Sequence, residues 1–417
     1  MNTNTLTSIL KSSNELIISE SFRTKHRIGN AFTRSGKLSF QNLIYFILRS
    51  THKSISVNYS EFVDSFRSSI PTFVTKQALS KARQGISHEA FIELFRLSVE
   101  HFYSQATDLR TWNGFHIYAI DGSTIQIPES AENYNTFGGN PNKTGIISPL
   151  ASASVLYDVL NDIIVDVSLN SYRYNERDSA KEHINFLPDF PNSVIVFDRG
   201  YPSEDMFRFL NSQGILFLMR IPKTFKKAIL KENDSMFEYP ASNDKDSLTL
   251  RSIHVPLADG TTEYLVTNIM SHQLHAEKFS ELYSMRWGIE SKYRELKNRF
   301  EIESFNSIKP VSIRQEFFAV MYLSNLSAIA KKEADSLLVL DIDNKHSYQS
   351  NRSYILNRIK YNIVFLLKAS ANVCNKKIFE IINEASKVLS IVRPDRKFGR
   401  YRKHTRRRYY NHMKSCI

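Results

Sequence analysis

Residues 193–201 read SVIVFDRGY, a compact apolar run that ends in an acidic residue. The run is rich in β-branched side chains and predicts a buried strand. Asp198 closes this strand, and the Arg-Gly-Tyr that follows predicts a turn. A carboxylate at the end of a buried strand is aimed into a crevice at the edge of the sheet, where ligands bind. An aspartate in this place also starts turns by bonding its own backbone, so position alone leaves both interpretations open.

A second run of the same kind lies upstream, at residues 116–127, HIYAIDGSTIQI. Asp121 is predicted to close the strand that forms its first part, 116–121, and it precedes Gly122-Ser123. Two further β-like runs, at residues 151–159 and 163–169, are joined at Asn161-Asp162, which is typical of a hairpin. The order of elements resembles the RNase H-like fold and predicts an α/β protein with a mixed-sheet core. The predicted elements are strands at 116–127, 151–159 and 163–169, a helix at 178–186, a strand at 193–197, a helix at 203–213 and a strand at 215–221.

Flanking segments extend this core at both ends and interrupt it once. Residues 75–84 and 88–102 predict two helices joined at Gly85, an arrangement found in helix-turn-helix domains and in plain helical bundles. We predict a helical N-terminal DNA-binding region at 1–110, the first part of the RNase H-like core at 111–221, a β-rich insertion at 222–270, the second part of the core at 271–309, a helical C-terminal region at 310–392 and a basic tail at 393–417.

The third candidate acid, Glu290, is found through a long helix predicted at 276–300. Apolar residues recur there at helical spacing and predict a face that packs on the core. They are Leu282, Met285, Ile289, Tyr293, Leu296 and Phe300. One step after four of these positions comes a second stripe that borders the buried face. It contains Tyr283, Arg286, Glu290 and Lys297. An ordinary solvent-exposed helix face also mixes charges, so the stripe alone decides nothing.

The charge balance indicates a polyanionic partner. Lys and Arg total 55 against 42 acids, which gives a net charge of +13. A generally basic surface without a partner is the alternative. The basic residues concentrate in the tail at 393–417, where tyrosines are interleaved, so that this tail can neutralise phosphates and stack on bases. A hydrophobic fraction of 42% excludes a disordered or collagenous chain.

Several classes of protein are excluded by what the sequence lacks. The two cysteines, Cys374 and Cys416, cannot form a disulfide framework or a four-thiolate zinc site. No His/Cys set has zinc-finger spacing, and no P-loop or dinucleotide glycine motif occurs. The apolar runs are too short to span a bilayer, and the first residues contain no apolar signal segment. We therefore predict a cytoplasmic protein without a membrane partner.

Three ordered motifs together resemble the DDE transposases of the insertion-sequence type, family four. Tyr283-x2-Arg286-x3-Glu290-x6-Lys297 is similar to the Y-R-E-K signature of that family. Residues 120–123, IDGS, and 197–201, FDRGY, look like its two aspartate motifs. The resemblance covers residues 110–300 well and says little about either flank. One short motif arises by chance, but three in order on suitable elements rarely do.

The resemblance implies a site and a reaction. Asp121, Asp198 and Glu290 would be the catalytic acids and would hold two divalent metal ions, Mg²⁺ or alternatively Mn²⁺. Asp121 is expected to bridge both ions, and each of the other acids to hold one. Tyr283, Arg286 and Lys297 would contact DNA. The implied partners are double-stranded DNA, in the form of terminal inverted repeats and target, and a second copy of the chain in the DNA complex. A nucleoid-associated protein of a bacterium is the implied setting.

Two other interpretations stay open at the level of sequence. A metal-dependent nuclease on the same core would cut DNA without joining it. A sequence-specific DNA-binding protein would use the same acids only structurally. That all three motifs are present argues against the binding protein.

Overall fold

The computed structural model describes residues 3–34, 36–49, 53–65, 74–141, 147–225, 233–239, 247–257, 260–338 and 346–392. The basic tail predicted at 393–417 therefore lies outside the described residues. The helices are α1 Thr3–Ile18, α2 Glu20–His26, α3 Phe40–Arg49, α4 Ile55–Ser65, α5 Lys76–Arg83, α6 Glu89–Gln105, α7 Ala131–Phe137, α8 Glu176–Ile184, α9 Glu204–Ser212, α10 Phe279–Ser284, α11 Trp287–Asn298, α12 Pro310–Ser336, α13 Arg352–Lys368 and α14 Ala371–Ala385. The strands are β1 His116–Gln126, β2 Gly139–Pro141, β3 Ile147–Asp158, β4 Ile163–Ser171, β5 Ser193–Phe197, β6 Leu216–Ile221, β7 Ser235–Tyr239, β8 Leu248–Pro256, β9 Thr262–Thr267, β10 Tyr348–Ser350 and β11 Leu389–Ile391.

A mixed β-sheet carries the core. Its neighbours run in the order β3-β1-β5-β6-β9-β8-β7, and β4 also pairs with β3. Strands β1, β5 and β6 are parallel, whereas β6, β9, β8 and β7 pair antiparallel. Within the core, the first five long strands thus lie in the order β4-β3-β1-β5-β6, which is that of the RNase H-like fold. The predicted fold class is confirmed.

The chain divides into two compact units. The sheet unit comprises Thr107–Thr124 and Ser152–Glu295. Its main apolar cluster is formed by inward residues of β1, β5, β6, β8 and β9 and by residues of α10, and includes Val196, Leu218 and Leu282. Burial of this kind contributes about 25 cal/mol for each Å² of apolar surface removed from water.

The helical unit comprises Met1–Ala106, Ile125–Ala151 and Leu296–Ile417. Helix α12 lies at its centre and packs against α3, α6, α13 and α14. One buried ion pair anchors α5 to α12, because Arg83 contacts Glu316 at 2.8 Å and donates to Gln315 Oε1 at 3.4 Å. Among the described residues, no helix is both long and apolar enough to cross a membrane.

Local sequence signals set the bounds of several elements. The helices predicted at 75–84 and 88–102 correspond to α5 and α6, and the hairpin predicted at Asn161 joins β3 to β4. Ser203 caps α9, because its hydroxyl accepts a hydrogen bond from the backbone N–H of Met206 at 3.2 Å. These predictions are confirmed.

The single helix predicted at 276–300 is wrong. The segment forms a 3₁₀ turn, Ala276–Lys278, followed by α10 and α11. Between the two helices, Arg286 N–H donates to Tyr283 O and Gly288 N–H to Met285 O, over three residues instead of four. At Gly288 an added Cβ would lie only 2.8 Å from Cγ1 of Val159. The glycine therefore lets α11 begin in close contact with the β3–β4 turn.

The β-rich insertion predicted after the core strand at 215–221 contains β7, β8 and β9. These strands continue the main sheet, since β9 pairs with β6 from Leu218 to Ile221. The insertion accordingly extends the core of the sheet unit, and Leu265 of β9 is completely buried in it.

Candidate active site

The first acid, Asp121, lies within β1. The sequence predicted that it closes the strand, but β1 continues to Gln126, so this prediction is wrong. The pairing of β1 with β5 stops at Ala119, opposite Val196. Asp121 consequently lies just past the paired stretch, where the backbone has left its parallel neighbour and the side chain is half-buried.

The second acid, Asp198, directly follows β5, as predicted. Its Oδ1 accepts a hydrogen bond from the backbone N–H of Gly200 at 2.6 Å. A Cβ at Gly200 would lie 3.0 Å from the same oxygen, so a larger residue there would press on the Asp198 carboxylate. Asp198 is half-buried. The turn interpretation of this aspartate is therefore confirmed, and its place at a ligand-binding crevice stays a prediction.

The third acid, Glu290, lies in the first turn of α11. Its Oε1 accepts a hydrogen bond from Nη2 of Arg286 at 3.0 Å, in an i,i+4 ion pair. The Arg286 guanidinium is buried and lies over the rings of Trp287, at 4.7 Å, and Tyr283, at 5.7 Å. Packing therefore fixes the cation that faces Glu290.

Electrostatics link the three acids. The pKa of Asp121 is raised to about 6, mainly by burial and also by the charges of Asp198 and Glu290, against a hydrogen bond from Gly122 and the charge of Arg286. Interactions of this kind need groups within several Å of one another. Asp198, Glu290 and Arg286 thus lie within electrostatic range of Asp121, although the four residues come from three separate segments of the sheet unit.

Hydrogen bonds from α11 to the sheet fix the position of the helix that carries Glu290. The Tyr293 hydroxyl lies 3.0 Å from the carbonyl oxygen of Asp121 and 3.2 Å from that of Ala153, and donates to them. The buried amine of Lys292 donates to Asp162 at 2.9 Å. The helix is therefore fastened to β1, to β3 and to the β3–β4 turn. The sequence classed Tyr293 as core and did not predict this positioning role.

The remaining predicted residues have different settings. Tyr283 is only 5% exposed and belongs to the apolar cluster of the sheet unit. Its ring packs against the Arg286 guanidinium. Lys297 lies in the last turn of α11, in the helical unit, where its amine is 3.6 Å from Glu303. Trp287, by contrast, is 49% exposed.

The acids suit a hard divalent cation in their chemistry. Carboxylate oxygens are the ligands that Mg²⁺ prefers, and Asp121 carries repulsion that a cation would relieve. As they stand, however, no three His, Cys, Asp or Glu side chains in the described part of the chain are close enough to hold one ion. In this arrangement Oε1 of Glu290 is paired with the Arg286 guanidinium at 3.0 Å. A cation would have to draw Glu290 away from Arg286.

Comparison with known proteins fits this geometry. The sequence matches the family described as Transposase DDE domain over residues 112–326, more than half of the chain. The chain belongs to this family. The family match extends past the region at 110–300 on which the motif resemblance rested, and that resemblance is confirmed.

Two curated relatives come from Escherichia coli strain K12. Transposase InsG for insertion sequence element IS4 is 24% identical over 276 residues, which cover 61% of this chain and 60% of the relative. Putative transposase InsZ is 25% identical over 143 residues, covering 34% of this chain and 47% of the relative. The chain thus spans less than two thirds of either relative.

Among solved structures, one match is a cryo-EM structure of a piggyBac transposase synaptic complex with hairpin DNA. It matches at a TM-score of 0.46 and 11% identity, covering 91% of this chain and 82% of that one.

Proposed function

We propose that this member of the transposase DDE family is a DNA transposase. It would cut DNA at the ends of a mobile element and join the freed 3′ ends to a target. The observation that carries this proposal is the electrostatic coupling of Asp121 to Asp198, Glu290 and Arg286 within one unit, together with the Arg286–Glu290 ion pair. Family membership and relatives that are named transposases support the same activity.

We propose that the three acids hold two Mg²⁺ ions, with Asp121 shared between them and the other acids each on one. Bound there, the ions would make a water nucleophilic and neutralise the charge on the leaving oxygen. The backbone N–H groups of Gly122 and Gly200 fix one oxygen of Asp121 and one of Asp198, at 2.9 and 2.6 Å. Each of these carboxylates keeps its other oxygen for a cation.

Arg286 has a second task in this proposal. When Glu290 turns to the cation, the guanidinium becomes available and can grip a DNA phosphate through two parallel hydrogen bonds. Its stacking on Trp287 and Tyr283 keeps the guanidinium in place during this exchange. Lys297 would contact the backbone as a point charge, and Tyr283 would act through Arg286.

The proposed partners are double-stranded terminal repeats and target DNA. A net charge of +13 favours a polyanion and makes the affinity fall steeply with salt. A homodimer that pairs two DNA ends, and a location on a bacterial nucleoid, are further parts of the proposal.

The test is a reaction with a DNA duplex that carries the inverted repeats flanking the gene, in Mg²⁺ or Mn²⁺. The proposal expects nicking at the repeat ends followed by strand-transfer products in a second duplex. Cut ends that never join would favour a nuclease. Chelation-resistant binding with no product in any metal would favour a DNA-binding protein whose acids are structural.

A further inference from the structure

A fourth carboxylate, that of Glu176, lies beside the three acids. Glu176 is the first residue of α8 and follows the N-cap Asn175. A Cβ added to Gly122 would lie 2.9 Å from Oε1 of Glu176 and 3.2 Å from its Cδ. Because Gly122 directly follows Asp121, the Glu176 carboxylate rests against the backbone next to the first acid.

Space, not backbone conformation, explains the glycine at this position. Gly122 is absent from the described glycines that have a positive φ, so an L-residue could adopt its backbone. What a side chain would meet is the carboxylate of Glu176. The pairing of Gly122 with Glu176 therefore keeps an acidic group close to Asp121.

Arg177 fixes the start of α8. Its Nη2 donates to the carbonyl oxygens of Gly200 at 3.1 Å and Pro202 at 3.3 Å. Gly200 in turn donates its N–H to Asp198. The loop that carries Asp198 and the helix that carries Glu176 are thereby tied together, so Glu176 is held near two of the three acids.

A buried hydroxyl faces the same cluster. Tyr201 is 1% exposed, and its hydroxyl has no hydrogen-bond partner among the described residues. Burial and then the charges of Asp121 and Glu176 raise the pKa of Tyr201 well above its ordinary value. A buried hydroxyl without a hydrogen-bond partner destabilises the fold, so its retention beside these acids points to a ligand that it serves.

We propose that Glu176 is a fourth carboxylate of the cation site, and that the Tyr201 hydroxyl donates a hydrogen bond within it. This inference rests on the proposed function, since it takes the acid site to bind divalent cations. With Glu176 included, the negative charges of the acids match those of two divalent cations without help from Arg286. Arg286 is then free for a DNA phosphate.

A competing explanation is that Glu176 merely stabilises the positive end of α8. Asp178 lies in the same first turn, is exposed, and supplies the matched control. If Glu176 only stabilises the helix end, Glu176→Gln and Asp178→Asn should change the Mn²⁺ affinity equally. If Glu176 belongs to the cation site, only Glu176→Gln should weaken Mn²⁺ binding.

The first experiment is calorimetric titration of the full chain with Mn²⁺ at pH 7.5. We expect Glu176→Gln to weaken binding about ten-fold, Asp178→Asn to match the wild type, and Asp121→Asn to abolish binding. Wild-type affinity and stoichiometry in Glu176→Gln, with binding lost in Asp121→Asn, would overturn the role of Glu176 alone. A wild-type chain that binds no Mn²⁺ would overturn both this inference and the proposed function.

A second experiment uses the contact with Gly122. Gly122→Ala should weaken Mn²⁺ binding because the new Cβ displaces the Glu176 carboxylate, whereas the double variant Glu176→Ala/Gly122→Ala should bind no more weakly than Glu176→Ala. Additive losses would contradict the proposal, since they would place the effect of Gly122 elsewhere. Thermal denaturation without metal checks that each variant is folded.

Discussion

Two polar clusters of the sheet unit differ in how well their groups are satisfied. In one, His183 Nδ1 is 2.7 Å from Asp166 and His183 Nε2 is 3.0 Å from the Ser154 hydroxyl. These three side chains are 6% exposed or less. The cluster has the residue types of a hydrolase triad, but no substrate can reach it, and it ties β3, β4 and α8 together.

The acid cluster has the opposite character. Asp121 is placed near like charges, Glu290 pairs with the Arg286 guanidinium, and the Tyr201 hydroxyl has no hydrogen-bond partner in the part of the chain that the structure describes. A satisfied buried network stabilises one conformation, whereas surplus charge of one sign is costly without a ligand. The comparison teaches that unmet electrostatic demand, and not the presence of catalytic residue types, is the reason to propose the acid cluster as the functional one.

The largest expected effect is a loss of DNA cleavage when an acid of the acid cluster is replaced. Glu290→Gln should reduce DNA cleavage at least about 10³-fold, because a metal ligand is lost, while DNA binding persists. Glu277→Gln, at an exposed acid of the preceding 3₁₀ turn, is the control and should cleave normally. Retained cleavage in Glu290→Gln, measured by gel assay with Mg²⁺, would refute its role.

The next effect concerns stability. His183→Leu should lower the free energy of unfolding by about 3 kcal/mol, because the Asp166 carboxylate stays buried without its partner. Urea denaturation measures this, and Mn²⁺ binding by the folded variant should be unchanged. A loss below about 1 kcal/mol, or a loss of Mn²⁺ affinity, would break the distinction between the clusters.

At the acid cluster, removing a charge is expected to raise the free energy of unfolding, whereas His183→Leu lowers it. The pKa of Asp121 is raised from 3.8 to about 6 in the folded chain, so the free energy of unfolding falls as the pH rises from 3.8 to about 6, and the loss is complete above that. Asp121→Asn removes this cost and should raise the free energy of unfolding at pH 7.5 by about 2 kcal/mol. The gain should shrink as the pH falls from about 6 towards 4 and vanish below about pH 3, where Asp121 is protonated in both the folded and the unfolded state. Destabilisation at pH 7.5 by urea titration would contradict this explanation.

The smallest effect concerns DNA binding. Arg286→Ala should weaken binding and reduce the slope of log affinity against log salt by about one phosphate contact. Arg286→Lys, which keeps the charge but loses the bidentate grip, should keep the slope and bind more weakly. Titration by fluorescence anisotropy at several salt concentrations measures both. An unchanged slope in Arg286→Ala would remove Arg286 from the DNA interface.

Much of the core could be predicted from sequence because its signals are local. The apolar run at β5 and the N-cap at Ser203 are decided by neighbouring residues. The break between α10 and α11 was missed because it depends on Gly288 meeting Val159, far away along the chain. A helical periodicity that continues through the break hides this tertiary contact.

The candidate site divides in the same way. Asp121, Asp198 and Glu290 were found because ordered motifs and their element types pointed to them. Glu176 and Tyr201 were missed, although Tyr201 stands in the quoted FDRGY motif, because their roles depend on which groups surround them after folding. The sequence signal for Glu176 is only a glycine after Asp121, which has many other causes.

The central claim is that three distant acids form one centre for a pair of cations. The most direct measurement is a crystal structure of the chain with DNA and Mn²⁺, with anomalous scattering to locate the metal. We expect two Mn²⁺ peaks about 3.5–4 Å apart among Asp121, Asp198 and Glu290, with Arg286 moved from Glu290 to a phosphate. Mn²⁺ bound elsewhere, with the Arg286–Glu290 pair intact beside DNA, would contradict the claim.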